Sequence, residues 1–264
     1  MERGLIKTSA GYIHYRAAGR GKPIFLSHIN QQSSALYLEL MAVLAVELRA
    51  IAIDFPSHGM SDHVSVQPTI ADYAKCVREV MDAMGIEQAH VLGEALGAAV
   101  SIELASATPA RVNKVVLVNC PWYSDSKAAA SARADMQGKL RPGDSSGFPV
   151  TRTIEFMLEH DALHAPMQPS QSWMDRINVA QLESGRDRWQ ALGALHQYDI
   201  GANLERIRAP VLLLIGEHFH YVRYRDELAR RIPDPRLEIV KGGRFCLTWE
   251  RAAEIGEKTI AFVR

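Results

Sequence analysis

The sequence predicts an α/β protein built on a mostly parallel, twisted sheet of about eight strands flanked by helices, and three observations carry that expectation. Short runs rich in Val, Ile and Leu alternate with longer helical patterns along most of the chain. Several of the short runs are apolar throughout, as strands buried on both faces require. From Pro121 to about Asn203 the pattern is helical without a strand signal, which predicts a helical lid inserted after the sixth strand.

The elements follow in chain order. Gly11 to Ala18 alternates Tyr12, His14 and Arg16 against Ile13 and Tyr15, the period of a half-exposed strand. Pro23 to Ser27 reads as a buried strand, Ala35 to Leu48 as a helix, and Ile51 to Asp54 as the next strand. A helix over Thr69 to Met84 ends at Gly85, where the C′ position favours a left-handed residue. His90 to Leu92 is a strand, Leu96 to Ser106 a helix, and Val115 to Val118 a strand. The helical stretch that follows is broken by the turn-rich loop Arg141 to Pro149. Strand and helix then alternate again, as strand Val211 to Ile215, helix Tyr221 to Arg231, strand Leu237 to Val240 and a final helix from Trp249. The expected division is a core of residues 1–120 and 204–264 with a cap of residues 121–203.

Composition narrows the function classes. With 264 residues and 47% apolar side chains, one α/β domain can bury a large core. Lys plus Arg equals Asp plus Glu at 30 each, so no net field draws the chain to nucleic acid or an anionic membrane. Met1 to Gly11 has no apolar targeting core and no run reaches the length of a membrane span. Cys76, Cys120 and Cys246 form an odd set without metal-ligand spacing, consistent with reduced thiols and a cytoplasmic location. The expected partner is a small-molecule substrate or ligand, with a homodimer left open and no cofactor or metal called for. His160 and His164 flank Asp161 at ligand spacing, but without a third partner they read as a solvated helix face.

Four motifs carry the chemistry, the last of them a pair of turns. Ser27-His28-Ile29-Asn30 follows a strand, and Asp54 to Asp62 forms a turn-rich segment in which Asp54 and Asp62 are expected to brace their own turn. Gly93-Glu94-Ala95-Leu96-Gly97 lies between a strand and a helix. Gly216-Glu217-His218-Phe219 and Lys241-Gly242-Gly243-Arg244 follow the last two strands. Taken together, in this order and spacing, they resemble the α/β-hydrolase fold across essentially the whole chain. The resemblance aligns Asn30 with a backbone donor of the oxyanion hole, with Ile29 in place of the usual glycine. Ser57 likewise stands where the family commonly has glycine. Gly93 to Gly97 matches Gly-x-Ser-x-Gly, the strained nucleophile elbow, with Ala95 at the serine position. Phe219 falls at the acid position and Arg244 at the base position, so the resemblance implies a vacated triad.

Acyl transfer needs a nucleophile, a base and an orienting carboxylate. Ala95 and Phe219 supply neither nucleophile nor acid, and Arg244 stays protonated. The oxyanion hole is made of backbone and survives such changes. The Leu96 N–H opens a helix, and with Asn30 N–H it is expected to contribute about 3 kcal/mol to a developing oxyanion or enolate. Arg244 is expected to hold a carboxylate or enolate oxygen beside it, or else to pair with Glu94 or Glu217. Candidate proton-transfer groups are His28, Glu94, His218 and His220. Ile29, Cys120, Trp122 and Tyr123 are candidate pocket walls, and Asp125 is an alternative acid. The leading expectation is a cofactor-independent lyase, cyclase or isomerase acting on a small carboxylated or polyketone-like substrate. The alternatives are a catalytically inactive binding or scaffold protein, and an ester or C–C bond hydrolase whose nucleophile has become Ala95.

Overall fold

The computed structural model describes residues 1–122, 170–185, 187 and 190–264. Within them, eight strands form one sheet in the order β1-β2-β4-β3-β5-β6-β7-β8. The strands are β1 (Glu2–Thr8), β2 (Gly11–Ala18), β3 (Lys22–Ser27), β4 (Leu48–Ile53), β5 (Ala89–Glu94), β6 (Val112–Val118), β7 (Val211–Gly216) and β8 (Pro235–Val240). β1 and β2 pair antiparallel, and β2 joins β4 antiparallel. All remaining pairs, from β4 through β3 and β5 to β8, are parallel. The expected mostly parallel sheet of about eight strands is what the chain forms.

Alternation along the central strands divides the core in two. Phe25, Ile51, Val91, Val115, Leu117 and Leu213 face one layer, which α2 (Ile70–Ala83) and α3 (Leu96–Ala107) cover. Ile24, Leu26, Leu92, Val116, Val118 and Leu212 face the other, covered by α1 (Leu38–Leu44) and α9 (Ala252–Val263). Between β6 and β7 come α4 (Gln171–Ser184), α5 (Gln190–Leu195) and α6 (Ile200–Leu204). The inward stripe of α4, Trp173, Ile177, Ala180, Gln181 and Ser184, rests on the core. After β7 come α7 (Arg225–Arg230) and, after β8, the short α8 (Leu247–Glu250). No helix among the described residues is long and apolar enough to cross a membrane.

The α2 boundaries follow from local chemistry. The Thr69 hydroxyl accepts the Asp72 N–H at 3.2 Å while the Asp72 carboxylate accepts the Thr69 N–H at 2.8 Å, a reciprocal cap. Gly85 takes φ +67°, the left-handed residue expected after the helix. Thr69→Ala is expected to cost about 1 kcal/mol in a denaturant titration.

Several expectations are corrected. The helix anticipated over Ala35 to Leu48 is a 3-10 turn, Ser34–Tyr37, followed by α1, which stops at Leu44. Leu48 is claimed by the sheet instead, paired with Lys22 in β3. The helix anticipated from Tyr221 begins with a 3-10 turn, Val222–Tyr224, and the last helix is split at Arg251 into α8 and α9. β1 carries no buried residue, so its sequence gives no apolar signal.

Candidate functional site

The site sits where the C-terminal ends of β3, β5, β6, β7 and β8 converge. Ala95 links β5 to α3 at φ +50° and ψ −108°, a left-handed strained conformation for an alanine. Its N–H donates to Val118 O at 3.1 Å, and its carbonyl accepts the Ala98 N–H at 3.0 Å. The flanking glycines permit this crossing. A Cβ on Gly97 would lie 1.7 Å from the Ser27 carbonyl oxygen, and one on Gly93 would lie 2.0 Å from the Gly97 oxygen. α3 therefore starts in near contact with the ends of β3 and β5. Its first N–H groups, Leu96 included, have no intrahelical acceptor and point out of the helix start.

The loop after β3 is fixed by its histidine. The His28 Nε2 accepts the Phe55 N–H at 3.0 Å, which leaves the proton on Nδ1 to donate to Ile29 O at 2.7 Å. Burial, with His58 alongside, lowers the His28 pKa to about 3. His28 is thus a neutral backbone brace with both ring nitrogens engaged, which corrects its expected role in proton transfer. The Tyr37 hydroxyl donates to Ser27 O at 2.6 Å and holds the same loop from below. Ile29 is buried, and Asn30 lies partly buried before Gln31, whose φ is +62°.

The Asp54 turn braces itself as expected. Asp54 accepts N–H groups from Ser34 at 2.5 Å and Met60 at 3.0 Å and holds His14 Nδ1 at 2.8 Å. Burial opposes its charge, but His14 and these donors bring its pKa down to about 2. Asp62 accepts the Tyr12 N–H at 2.8 Å. Ser57, where glycine was expected, indeed adopts φ +62°.

Glu94 is not a free acid or base at the elbow. Its fully buried carboxylate accepts the Leu247 N–H at 2.7 Å, the Thr248 N–H at 3.2 Å, the Asn119 amide at 3.2 Å and the Thr248 hydroxyl. It therefore caps α8 and ties that helix to the elbow. Burial raises its pKa, against those four donors, to about 7.

Asn119, which the sequence reading did not single out, organises the centre. It sits just past β6 at φ +45° and is fully buried. Its Nδ2 also donates to Arg244 O at 2.7 Å and Phe245 O at 2.9 Å, and its Oδ1 accepts the Gly216 N–H at 2.9 Å. One side chain thus joins the ends of β6 and β7 to the loop after β8. The sequence signal was an asparagine directly after an apolar strand, too common to stand out.

The two C-terminal turns pack on each other. The His218 N–H donates to Gly243 O at 2.9 Å, and Phe219 is buried against His220, Tyr221 and Phe245. His218 is half-buried with Glu217 at 3.9 Å, and His220 is exposed with its ring 4.0 Å from Tyr221. The Arg244 guanidinium pairs through Nη1 with Glu250, whose other oxygen takes the Arg244 N–H at 3.1 Å. This corrects the expected pairing, since the partner of Arg244 is neither Glu94 nor Glu217. Its Nε is buried without a partner among the described residues.

Cys120 is buried and its thiol is pushed up to about 12 by burial, so it holds no thiolate. Trp122 is buried beside Gly201 and under Arg231, 5.7 Å from the ring. Tyr123, Asp125, His160, Asp161 and His164 lie outside the described residues. Among the described residues no cluster of three His, Cys, Asp or Glu is arranged to hold a metal.

Comparison with known proteins agrees with this architecture. Residues 22–251 match the family described as alpha/beta hydrolase fold. A putative carbamate hydrolase RutD from Azorhizobium caulinodans is 33% identical, over 88% of this chain and 87% of that one. A 2-hydroxy-6-oxo-6-phenylhexa-2,4-dienoate hydrolase from Comamonas testosteroni is 25% identical, over 96% and 91%. The crystal structure of a hydrolase from Pseudomonas aeruginosa PA01 superposes with TM-score 0.84 at 22% identity, covering 99% and 98% of the two chains.

Proposed function

The chain belongs to the alpha/beta hydrolase fold family, and from that premise we propose that it has given up the acyl-enzyme route while keeping the family's oxyanion cradle. In this reading it is a lyase, cyclase or isomerase that stabilises the oxyanion or enolate of a small carbonyl compound. Ala95, Phe219 and Arg244 occupy the nucleophile, acid and base positions, so the triad is vacated. In this reading the core comprises residues 1–120 and 204–264.

The observation that carries the reading is the conformation of Ala95. An alanine at φ +50° costs about 1–3 kcal/mol and displays no nucleophile in return. What that strained turn still delivers is the Leu96 N–H, at the positive end of α3 and beside the loop bearing Asn30. A backbone donor of this kind acts on any developing oxyanion, whether or not a covalent bond forms. The Comamonas relative is named as the hydrolase of a 2-hydroxy-6-oxo dienoate, a compound that carries both a hydroxyl and a ketone oxygen.

The binding-protein reading has its own supporting observation. Of the four proton-transfer candidates, His28 and Glu94 have their polar atoms committed to backbone bracing. Turnover separates the two readings, since a binding protein returns its ligand unchanged.

Ala95→Ser tests the vacated triad. The new hydroxyl finds no base, so hydrolysis of p-nitrophenyl acetate is expected to stay at the wild-type level. No mass gain is expected with a fluorophosphonate. A labelled, hydrolytic Ala95→Ser protein would restore the hydrolase reading and remove this one.

A further inference from the structure

Helix α4 packs along the loop after β3, and the two elements that form this seam carry four buried polar atoms without a hydrogen-bond partner among the described residues. They are Asn30 Oδ1, Gln31 Nε2, Trp173 Nε1 and Asn178 Oδ1. Buried donors and acceptors are usually paired in folded proteins, and four of the unpaired atoms fall together on these two facing elements.

Their directions are fixed from behind. Gln181 Nε2 donates to Gln31 Oε1 at 3.0 Å, and both side chains are buried. That bond joins the seam and commits the acceptor end of the Gln31 amide, leaving its donor end unused. The Trp173 ring stacks on Trp249 with centroids 4.6 Å apart and planes at 24°. Trp249 lies on α8, which Glu94 ties to the elbow. Arg176 grips both carboxylate oxygens of Glu39, at 3.0 and 2.6 Å, and Ala35 O at 3.1 Å, setting the rotation of α4. Trp173 and Ala95 belong to the same buried cluster, which places the seam on the same face of the sheet as the elbow alanine.

The set comprises two donors and two acceptors with no formal charge. The neighbouring cation on the loop after β8, Arg244, is already neutralised by Glu250. We propose that this seam is a recognition subsite for an uncharged hydroxy-carbonyl group of the substrate. Carbonyl oxygens would accept from Trp173 and Gln31, and hydroxyls would donate to Asn30 and Asn178. A carboxylate would bring a charge into a buried set that holds no free cation to pair it. The inference rests on the elbow cradle proposed above and narrows its substrate to the neutral, polyketone-like class.

A matched set of aromatic probes tests it on the full chain: 2,4-dihydroxyacetophenone, its carboxylate counterpart 2,4-dihydroxybenzoate, and acetophenone, which lacks the hydroxyls. Amide and indole ¹⁵N–¹H spectra report both places at once, through the Leu96 backbone N–H for the cradle and the Trp173 indole N–H for the seam. The expected result is that dihydroxyacetophenone moves both resonances and binds about tenfold more tightly than either other probe. Trp173→Phe keeps a stacked ring but removes the donor, and is expected to weaken that probe by about tenfold. Movement at Leu96 without movement at Trp173, or equal affinity in Trp173→Phe, overturns the subsite and leaves the cradle standing. Tighter binding of dihydroxybenzoate also overturns the subsite. No movement of either resonance at millimolar probe counts against subsite and cradle together.

Discussion

Gly97→Ala is expected to destabilise the protein by about 4 kcal/mol or more, at the upper end of what one added methyl can do. The Cβ would sit 1.7 Å from the Ser27 carbonyl oxygen and 3.0 Å from that of His28. Both obstacles are backbone, so no side chain can rotate away. Relief requires α3 to retreat from the end of β3, which displaces Leu96 and the loop carrying Asn30 together. A thermal melt would therefore show a fall of roughly 10 °C, scaled for a chain of this size. A melting temperature within 2 or so degrees of wild type, at about 1 kcal/mol or less, would mean that the close crossing at the elbow is absent.

The second large effect belongs to Glu94. Removing its side chain in Glu94→Ala leaves the Leu247 and Thr248 N–H groups buried without their acceptor. The expected loss is about 3–5 kcal/mol. The carboxyl also makes stability depend on pH, and the sign follows from its pKa. Burial raises it from 4.5 to about 7 in the fold. A group with a raised folded-state pKa contributes stability that is complete below 4.5 and is lost as pH rises through 7. Below 7 the proton has a natural acceptor, because the Thr248 hydroxyl is the one partner able to reverse its role. Wild-type protein should therefore lose about 2.5 kcal/mol between pH 5 and pH 8 relative to Glu94→Gln, which does not titrate. Parallel pH profiles for the two proteins would show that the carboxyl keeps an ordinary pKa in the fold.

Much of this was legible in the sequence because some features have few physical solutions. Runs such as Val115 to Val118 and Val211 to Ile215 are apolar on both faces, and only a sheet covered on both sides buries them. The Gly93 and Gly97 frame announces a close strand-to-helix crossing whatever lies between. β1 was not legible, since an edge strand without buried residues leaves no apolar alternation. The end of α1 was not legible either, because parallel pairing with β3, a tertiary fact, decides that Leu48 joins the sheet.

Side-chain partners were the least legible part of the site. Arg244 had Glu94 and Glu217 as candidate partners by position along the chain, and the turn into α8 instead brings Glu250 to it. Glu94 sits next to Ala95, yet successive strand residues point to opposite sides, and its carboxylate runs under α8 rather than into the elbow pocket. His28 looks like a base in one dimension and is a brace in three, because both ring nitrogens meet backbone groups of Ile29 and Phe55. Asn119 joins three loops that are distant in sequence, so nothing local marks it.

The central claim is that the elbow acts on a small carbonyl compound without forming a covalent intermediate. Mass spectrometry of a small-molecule extract from the source cells, incubated with the protein, tests it most directly when the intact protein mass is followed alongside. The account predicts a compound consumed in large molar excess over protein, with loss of water or carbon dioxide or no change in mass, and an unaltered protein mass. Gain of water with a transient adduct on the protein would contradict it, as would a compound retained in stoichiometric amount and returned unchanged.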